Sequence, residues 1–204
     1  MYQHHTEENV RFIGIYDYTV ILTYMNLVSG LIGMGLASAG RTGAAILCLA
    51  LSGFFDLFDG AVARTKKNRT EDAKGFGIQL DSLCDIVSFG VLPAWILYCA
   101  GYRGTVGCIV LILYVLCALI RLAFFNVLEA KRRQYEECSV KYFRGLPVTT
   151  AAIAFPFFYL LSYVIPHSVM NVVWAVLPLL MAFLFILDIK VPKLNASTLI
   201  ERKK

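Results

Sequence analysis

The chain has 204 residues, of which 58% are hydrophobic and only 16% are charged, and its mean hydropathy is +0.67. This composition leaves too little polar surface for a soluble domain of this size, so it indicates an integral membrane protein folded as one bundle. The formal net charge of +5 does not indicate a nucleic-acid partner, because the basic residues lie between apolar runs and form no stripe with interleaved aromatic residues.

Six apolar segments meet or approach the roughly 20 residues that a helix needs to cross a bilayer. Pro147, Pro166 and residues 101–104 punctuate their boundaries, as helix breakers do. The sequence therefore predicts an all-α membrane protein, with six transmembrane helices in a single domain over residues 1–204. The predicted spans are residues 17–38, 42–63, 78–100, 104–128, 148–166 and 169–189.

The chain ends and the loop charges predict an orientation. Residues 1–15 mix polar and apolar side chains, which indicates an amphipathic juxtamembrane helix in the interface, and residues 191–204 form a basic tail. Of the 19 Lys and Arg residues, Arg41 and Arg103 fall on one side, Arg121 falls inside a span, and all the others fall on the opposite side. Because Lys and Arg accumulate on the cytoplasmic side, we expect a multi-pass protein of the cell membrane with both termini in the cytoplasm.

Four aspartates lie well inside the apolar spans, where ionisable side chains are costly and by default mark a functional site. Asp56 and Asp59 are three residues apart, and Asp81 and Asp85 are four apart, so each pair shares one face of a helix. Arg64 marks the cytoplasmic end of the second span, and the third span starts at the same membrane face. We therefore expect both pairs to meet in one cavity that opens to the cytoplasm.

Carboxylates this close repel one another, and Arg121 is the only strong base inside a span. A divalent cation would balance the excess negative charge, and oxygen ligands without His or Cys suit Mg²⁺, Mn²⁺ or Ca²⁺. Two ions held by four aspartates would also stabilise transfer at a phosphorus centre. Buried acid pairs, a proton relay and a cation or proton-coupled transporter are the alternatives, although a transporter predicts acidic residues along a path across the whole bilayer.

Small residues accompany the aspartates on the same helices. Gly60 and Ala63 lie on or near the face of the first aspartate pair, and Gly77 lies one turn before the second pair. Such residues allow either a ligand or a neighbouring helix to approach the backbone closely.

In chain order these residues form a motif that resembles the signature of the CDP-alcohol phosphatidyltransferases, and all eight of its positions are present: Asp56-x2-Asp59-Gly60-x2-Ala63-Arg64, then Gly77-x3-Asp81-x3-Asp85. Twelve residues separate Arg64 from Gly77, which is more than the family usually has, and the extra polar residues are expected to lengthen the loop without moving the helices.

Within that family the sequence resembles the phosphatidylserine synthases. The similarity includes LDSLCDIVSFGVLPAW at 80–95, RLAFFNV at 121–127 and FRGLPVTTAA at 143–152. In the first span Thr23, Asn26 and Gly30 are similar to the family's opening TxxNxxxG pattern.

The resemblance implies transfer of the phosphatidyl group from CDP-diacylglycerol to the hydroxyl of L-serine, with release of CMP. It implies that Asp56, Asp59 and Asp81 bind Mg²⁺ or Mn²⁺, as two ions, and that Asp85 lies at the edge of the metal site as the general base. It also implies contact with membrane lipids and a homodimer. Glycerol phosphate, inositol phosphate or another alcohol as acceptor is the alternative within the same chemistry, and a catalytically silent scaffold is a further one.

The resemblance also implies the residues around the nucleotide, whereas the serine site has to be assigned from the chemistry of the side chains. Arg121 is the candidate for the serine carboxylate, because a guanidinium binds a carboxylate through two parallel hydrogen bonds; a structural salt bridge to an aspartate is its alternative role. Asn126, on the same helix, and Arg144 are further candidates for the serine site. Arg64 is alternatively an ordinary residue of the positive cytoplasmic side. The residues expected to line the nucleotide pocket are Asn26, Asp56, Gly60, Ala63, Arg64 and Gly77.

Overall fold

The computed structural model describes residue 14 and residues 18–66, 70–134, 142–144, 146–188 and 190–192. The predicted juxtamembrane segment 1–15, apart from Gly14, lies outside the described residues. The same holds for the basic tail 191–204, apart from its first two residues, and for part of the charged loops.

The described part of the chain is built from seven α-helices. α5 is the longest, with 30 residues, and α3 runs without a break through a π-helical segment, Ile86–Val91, into α4. Short 3-10 turns at Tyr18–Val20 and Val148–Thr150 lead into α1 and α6. The helices are α1 (Ile21–Ser38), α2 (Thr42–Thr65), α3 (Glu71–Asp85), α4 (Leu92–Cys99), α5 (Thr105–Gln134), α6 (Ala151–Leu161) and α7 (His167–Ile186).

Five helical stretches of the described chain are long and apolar enough to cross a membrane. They correspond to five of the six spans that the sequence predicted, namely Tyr18–Ser38, Thr42–Ala63, Glu71–Cys99, Thr105–Lys131 and His167–Ile186. The predicted span 148–166 corresponds to a shorter apolar helix, Val148–Leu161. It ends early because the chain turns before Pro166, where the amide of Tyr163 donates to the carbonyl of Leu160 at 3.2 Å.

The third helix begins seven residues before the predicted start at residue 78, so that boundary was wrong. Thr70 caps the helix, because its side-chain oxygen accepts a hydrogen bond from the amide of Ala73 at 3.2 Å. Glu71 and Asp72 follow in the first turn, where negative charge is favourable against the helix dipole. Part of the polar stretch that we expected to lengthen the loop therefore forms the first turns of α3.

Two short strands also depart from the all-α prediction. β1 (Tyr142–Arg144) pairs antiparallel with β2 (Lys190–Pro192). Strands of three residues are too short to show an alternating pattern, so they could not be predicted from the sequence. The pairing joins the segment before α6 to the segment after α7.

The π-helical segment lies at the centre of the bundle, where it contacts α1, α2, α5 and α6. Phe89 and the adjoining Leu92 are fully buried there, together with Tyr114 from α5. At the periphery, apolar side chains such as Leu57 and Val106 are more than two-thirds exposed, as lipid-facing residues are. The polar residues of the bundle interior are therefore concentrated around the aspartates.

Candidate metal and catalytic site

α2 and α3 bring three of the predicted aspartates together. Asp56 projects from α2, and Asp81 and Asp85 project from α3, with one carboxylate oxygen of each lying within 4.8 Å of the others. The structure therefore brings one carboxylate of the first pair beside both carboxylates of the second.

Asp59 lies beside this group of three. Its carboxylate accepts a hydrogen bond from Thr23 Oγ1 at 3.0 Å, and it lies next to the carboxyl group of Asp81. Asp59 is 9% exposed, so the threonine hydroxyl provides a partner that water cannot readily replace. The fourth carboxylate is thus held from α1 while the other three face one another.

Asn26 is the residue of α1 that reaches the second aspartate pair. Its side chain is completely buried, and Nδ2 donates to Asp85 Oδ1 at 3.0 Å. The structure thus shows Asn26 bound to the predicted general base, and its place beside the nucleotide stays a prediction. Thr23 and Asn26 are three residues apart on α1, so one face of this helix contacts both aspartate pairs.

The backbone of Asn26 is also a meeting point of three helical segments. Its carbonyl accepts a hydrogen bond from Ser52 Oγ on α2 at 3.1 Å and another from Ser88 Oγ in the π-helical segment at 3.2 Å. Gly30, one turn further along α1, allows this approach, because a Cβ there would lie 2.7 Å from Ser88 Oγ. α1, α2 and the π-helical segment are therefore joined beside the carboxylates.

The residues of the cluster fit a divalent cation. Among the described residues, Asp81 Oδ1 and Asn26 Oδ1 are buried oxygen atoms without a hydrogen-bond partner. A buried oxygen left unpaired is costly, and a bound cation would supply the partner. Since all the available ligand atoms here are carboxylate or amide oxygens, the site suits Mg²⁺ or Mn²⁺ better than a soft metal.

The small residues of the motif occupy the same two helices. Gly60 and Ala63 follow Asp56 along α2 and are half-buried, and Gly77 is half-buried one turn before Asp81 in α3. Arg64 lies in the last turn of α2, and its side chain lies outside what the structure describes. Their role toward a nucleotide stays a prediction.

The three candidates for the serine site are held by different parts of the fold. Arg121 is buried in α5, and its Nε donates to the carbonyl of Leu146 at 3.2 Å. Arg144 belongs to β1, two residues before Leu146, and its side chain is not among those described. The backbone of this connecting segment is thus close to Arg121, and the role of both arginines toward serine stays a prediction.

Asn126 is held by two residues that sequence reasoning missed. Its Oδ1 accepts from Ser82 Oγ at 2.8 Å, and its Nδ2 donates to Gln79 Oε1 at 3.2 Å. These three residues line a groove of about 130 Å³ between α3 and α5, and the other residues that line it are apolar. Ser52, Ser82 and Ser88, which all bind polar groups of other helices, could have been noticed as polar residues within apolar segments.

A comparison of the whole chain with known protein families agrees with the motif around the aspartates. The profile of the family described as CDP-alcohol phosphatidyltransferase matches residues 18–187. This match includes every described α-helix and the four aspartates. The chain belongs to the CDP-alcohol phosphatidyltransferase family.

Several curated relatives have names that specify an acceptor. An archaetidylserine synthase from Methanothermobacter thermautotrophicus is 37% identical over 153 residues, which are 74% of this chain and 60% of that protein. A CDP-diacylglycerol–serine O-phosphatidyltransferase from Methanocaldococcus jannaschii is 35% identical over 183 residues, 90% of this chain and 76% of the relative. An enzyme of that same name from Saccharomyces cerevisiae is 45% identical over 97 residues, 47% of this chain and 34% of the relative.

Proposed function

We propose that this chain transfers the phosphatidyl group of CDP-diacylglycerol to the hydroxyl of L-serine, giving phosphatidylserine and CMP. The observation that carries the proposal is the convergence of Asp56, Asp81 and Asp85, with carboxylate oxygens within 4.8 Å of one another, beside Asp59. Family membership supports the phosphatidyl transfer. The names of the three relatives support serine as the acceptor, since all of them contain it.

Asp85 acts as the general base in this proposal. Its carboxylate is 5% exposed, and Asn26 fixes its orientation by donating to Oδ1. Asp85 takes the proton of the serine hydroxyl as the hydroxyl oxygen forms a bond to the phosphorus that bears the diacylglycerol. The bond between this phosphorus and the oxygen of CMP breaks, and CMP leaves with the electron pair. A positioned base of this kind contributes a factor of about 10² to 10⁴.

The remaining aspartates hold the cations. Asp56, Asp59 and Asp81 are the proposed ligands of two Mg²⁺ or Mn²⁺ ions, and Asp85 lies at the edge of the same site. When bound, the ions supply positive charge that holds the diphosphate and stabilises the charge developing on the departing CMP. Thr23 keeps the carboxylate of Asp59 turned toward the site through its hydrogen bond of 3.0 Å.

The substrates occupy the two sides of the cluster. The half-buried Gly60, Ala63 and Gly77 leave room for the nucleotide along α2 and α3, and Arg64 supplies positive charge at the end of α2. Serine binds toward α5, where Arg121 pairs with its carboxylate, while Asn126 and Arg144 complete the acceptor site.

The proposed setting is the cell membrane. The five long apolar helices and the shorter α6 form six spans, with both termini and the aspartates at the cytoplasmic side. Serine and CMP then exchange with the cytoplasm, and the acyl chains of the lipid remain between helices. The working unit is a homodimer in the membrane.

An acceptor panel tests this function. Purified protein in detergent is incubated with CDP-diacylglycerol, Mg²⁺ or Mn²⁺, and one alcohol at a time: serine, glycerol 3-phosphate, inositol phosphate or none. Mass spectrometry of the lipid product and CMP release are measured together. We expect phosphatidylserine to form only with serine, and a product formed only with glycerol 3-phosphate would refute the serine assignment.

A further inference from the structure

A π-helical segment follows Asp85, and Pro93 lies just beyond its end. The amide of Leu92 donates to the carbonyl of Val87, five residues back, as in a π-helix. In an α-helix the carbonyl of Phe89 would accept from residue 93, but proline has no N–H and its ring clashes with that carbonyl. A wider turn relieves the clash, and Pro93 leaves the carbonyl of Phe89 without its α-helical donor.

Tyr114 on α5 supplies that donor. Its side chain is completely buried, and its hydroxyl donates to the carbonyl of Phe89 at 2.7 Å. The rings of Phe155 and Phe185 lie 6.1 Å and 5.6 Å from the tyrosine ring and hold it in place. A phenol in a dry interior needs a partner as much as the carbonyl does, so each satisfies the other.

The π-helical segment is connected directly to the predicted base. It starts at Ile86, the residue after Asp85, and its Ser88 donates to the backbone carbonyl of Asn26. The side chain of the same Asn26 donates to Asp85 Oδ1. A change in the register of this segment would therefore alter the position of Ser88 and Asp85 relative to α1.

From these contacts we propose that Tyr114 is a positioning residue for Asp85. Tyr114 donates to the carbonyl that Pro93 cannot serve, and this contact holds the wide turn in the register that places Asp85 against Asn26. Tyr114 has no contact with substrate in this scheme and acts through the backbone of Phe89. The proposal rests on the proposed function only for the role of Asp85 as base.

Tyr114→Phe tests the proposal, because phenylalanine keeps the ring packing and removes only the hydroxyl. We expect kcat for CMP release to fall about tenfold or more, while KM for serine and for CDP-diacylglycerol changes less than about twofold. Tyr102→Phe is the matched control, since Tyr102 also donates to a backbone carbonyl, but to that of Asn171 on α7, at 3.0 Å, and not to one in the π-helical segment. Its kcat should equal that of the unmodified protein. An unchanged kcat in Tyr114→Phe would overturn the proposal.

Pro93→Ala provides a second test that does not depend on activity. Residue 93 then has an amide that can donate to Phe89, so the tyrosine hydroxyl becomes dispensable. Hydrogen exchange of peptides covering residues 86–97, measured by mass spectrometry, should increase about tenfold in Tyr114→Phe and by less than about twofold when the same change is made in the Pro93→Ala background. Equal increases in both backgrounds would refute the link between Tyr114 and Pro93. If the unmodified protein made no phosphatidylserine, the proposed function would fail while the exchange result would still decide this link.

Discussion

Asn26 on α1 binds Asp85 on α3 through a hydrogen bond of 3.0 Å between Nδ2 and Oδ1. The described part of α1 contains no carboxylate of its own, yet its Thr23 holds Asp59 in the same way. The first helix therefore orients one aspartate from each of the two helices that carry the site.

Replacing Asn26 with alanine removes the donor to Asp85. Hydrogen bonds to charged groups contribute about 1.5–3 kcal/mol, which corresponds to a fall in kcat of about 10- to 100-fold if the bond serves the transition state. CMP release under saturating substrates measures the effect. Asn171→Ala is the control, because the side chain of Asn171 is exposed on α7. A loss of melting temperature without a loss of kcat in the folded fraction would show that Asn26 only stabilises the fold.

Replacing Thr23 with valine keeps the shape of the side chain and removes the hydroxyl that donates to Asp59. Residues that orient metal ligands typically contribute about 10- to 100-fold to metal affinity. We expect the Mg²⁺ or Mn²⁺ concentration for half-maximal activity to rise about tenfold, with kcat at saturating metal nearly restored. Thr105→Val, at the exposed start of α5, should leave the metal dependence unchanged. An unchanged metal requirement in Thr23→Val would contradict the role of this contact.

Asp85→Asn removes the proposed base while preserving the size of the side chain. We expect CMP release to fall by about 10² or more, because the asparagine amide cannot accept the serine proton. Asp72→Asn, an exposed change in the first turn of α3, should retain full activity. If CMP release survived Asp85→Asn, the base would have to be another group.

Chelation of divalent ions should abolish turnover in the unmodified protein, and Mg²⁺ or Mn²⁺ should restore it.

Gly53→Ala tests the close contact between α2 and α6. A Cβ at residue 53 would clash with the Cβ of Ala152, so the helices would have to separate. Overpacking of this kind costs about 1–3 kcal/mol, and we expect a clearly lower melting temperature. Adding Ala152→Gly should return most of the loss, whereas Gly35→Ala, where nothing lies within 4 Å, should cost little. Equal stability of Gly53→Ala and Gly35→Ala would show that α2 and α6 tolerate separation.

The aspartate cluster could be predicted because each aspartate within an apolar segment is recognisable from the sequence alone, and its burial there is energetically costly. The spacing of Asp81 and Asp85 then determined which helical face they share. What the spacing could not predict is the partner of each carboxylate, since this depends on how α1 is rotated against α2 and α3. The hydrogen bonds from Thr23 to Asp59 and from Asn26 to Asp85 were therefore not predicted.

The start of α3 and the π-helical segment also could not be predicted from the sequence. Thr70 is a residue type that commonly caps helices, but the basic residues around it indicated a loop. The start of α3 was therefore predicted too late in the chain. Pro93 signalled a disturbance in an apolar helix without revealing whether a kink, a break or a wide turn would result. The carbonyl of Phe89, to which Pro93 cannot donate, accepts from Tyr114, which is 25 residues away in sequence and reaches it only in the folded bundle.

The backbone of residue 26 contributes to the packing of the helices, and its side chain contributes to the catalytic site. The hydroxyls of Ser52 and Ser88 bind its backbone carbonyl, which every amino acid possesses, whereas Asp85 binds its side chain, which only a donor of similar size can replace. A descendant of this chain could therefore change residue 26, keep the junction of three helical segments and lose its chemistry. Among proteins of this architecture, the side chain at this position would distinguish working enzymes from folded copies that no longer catalyse.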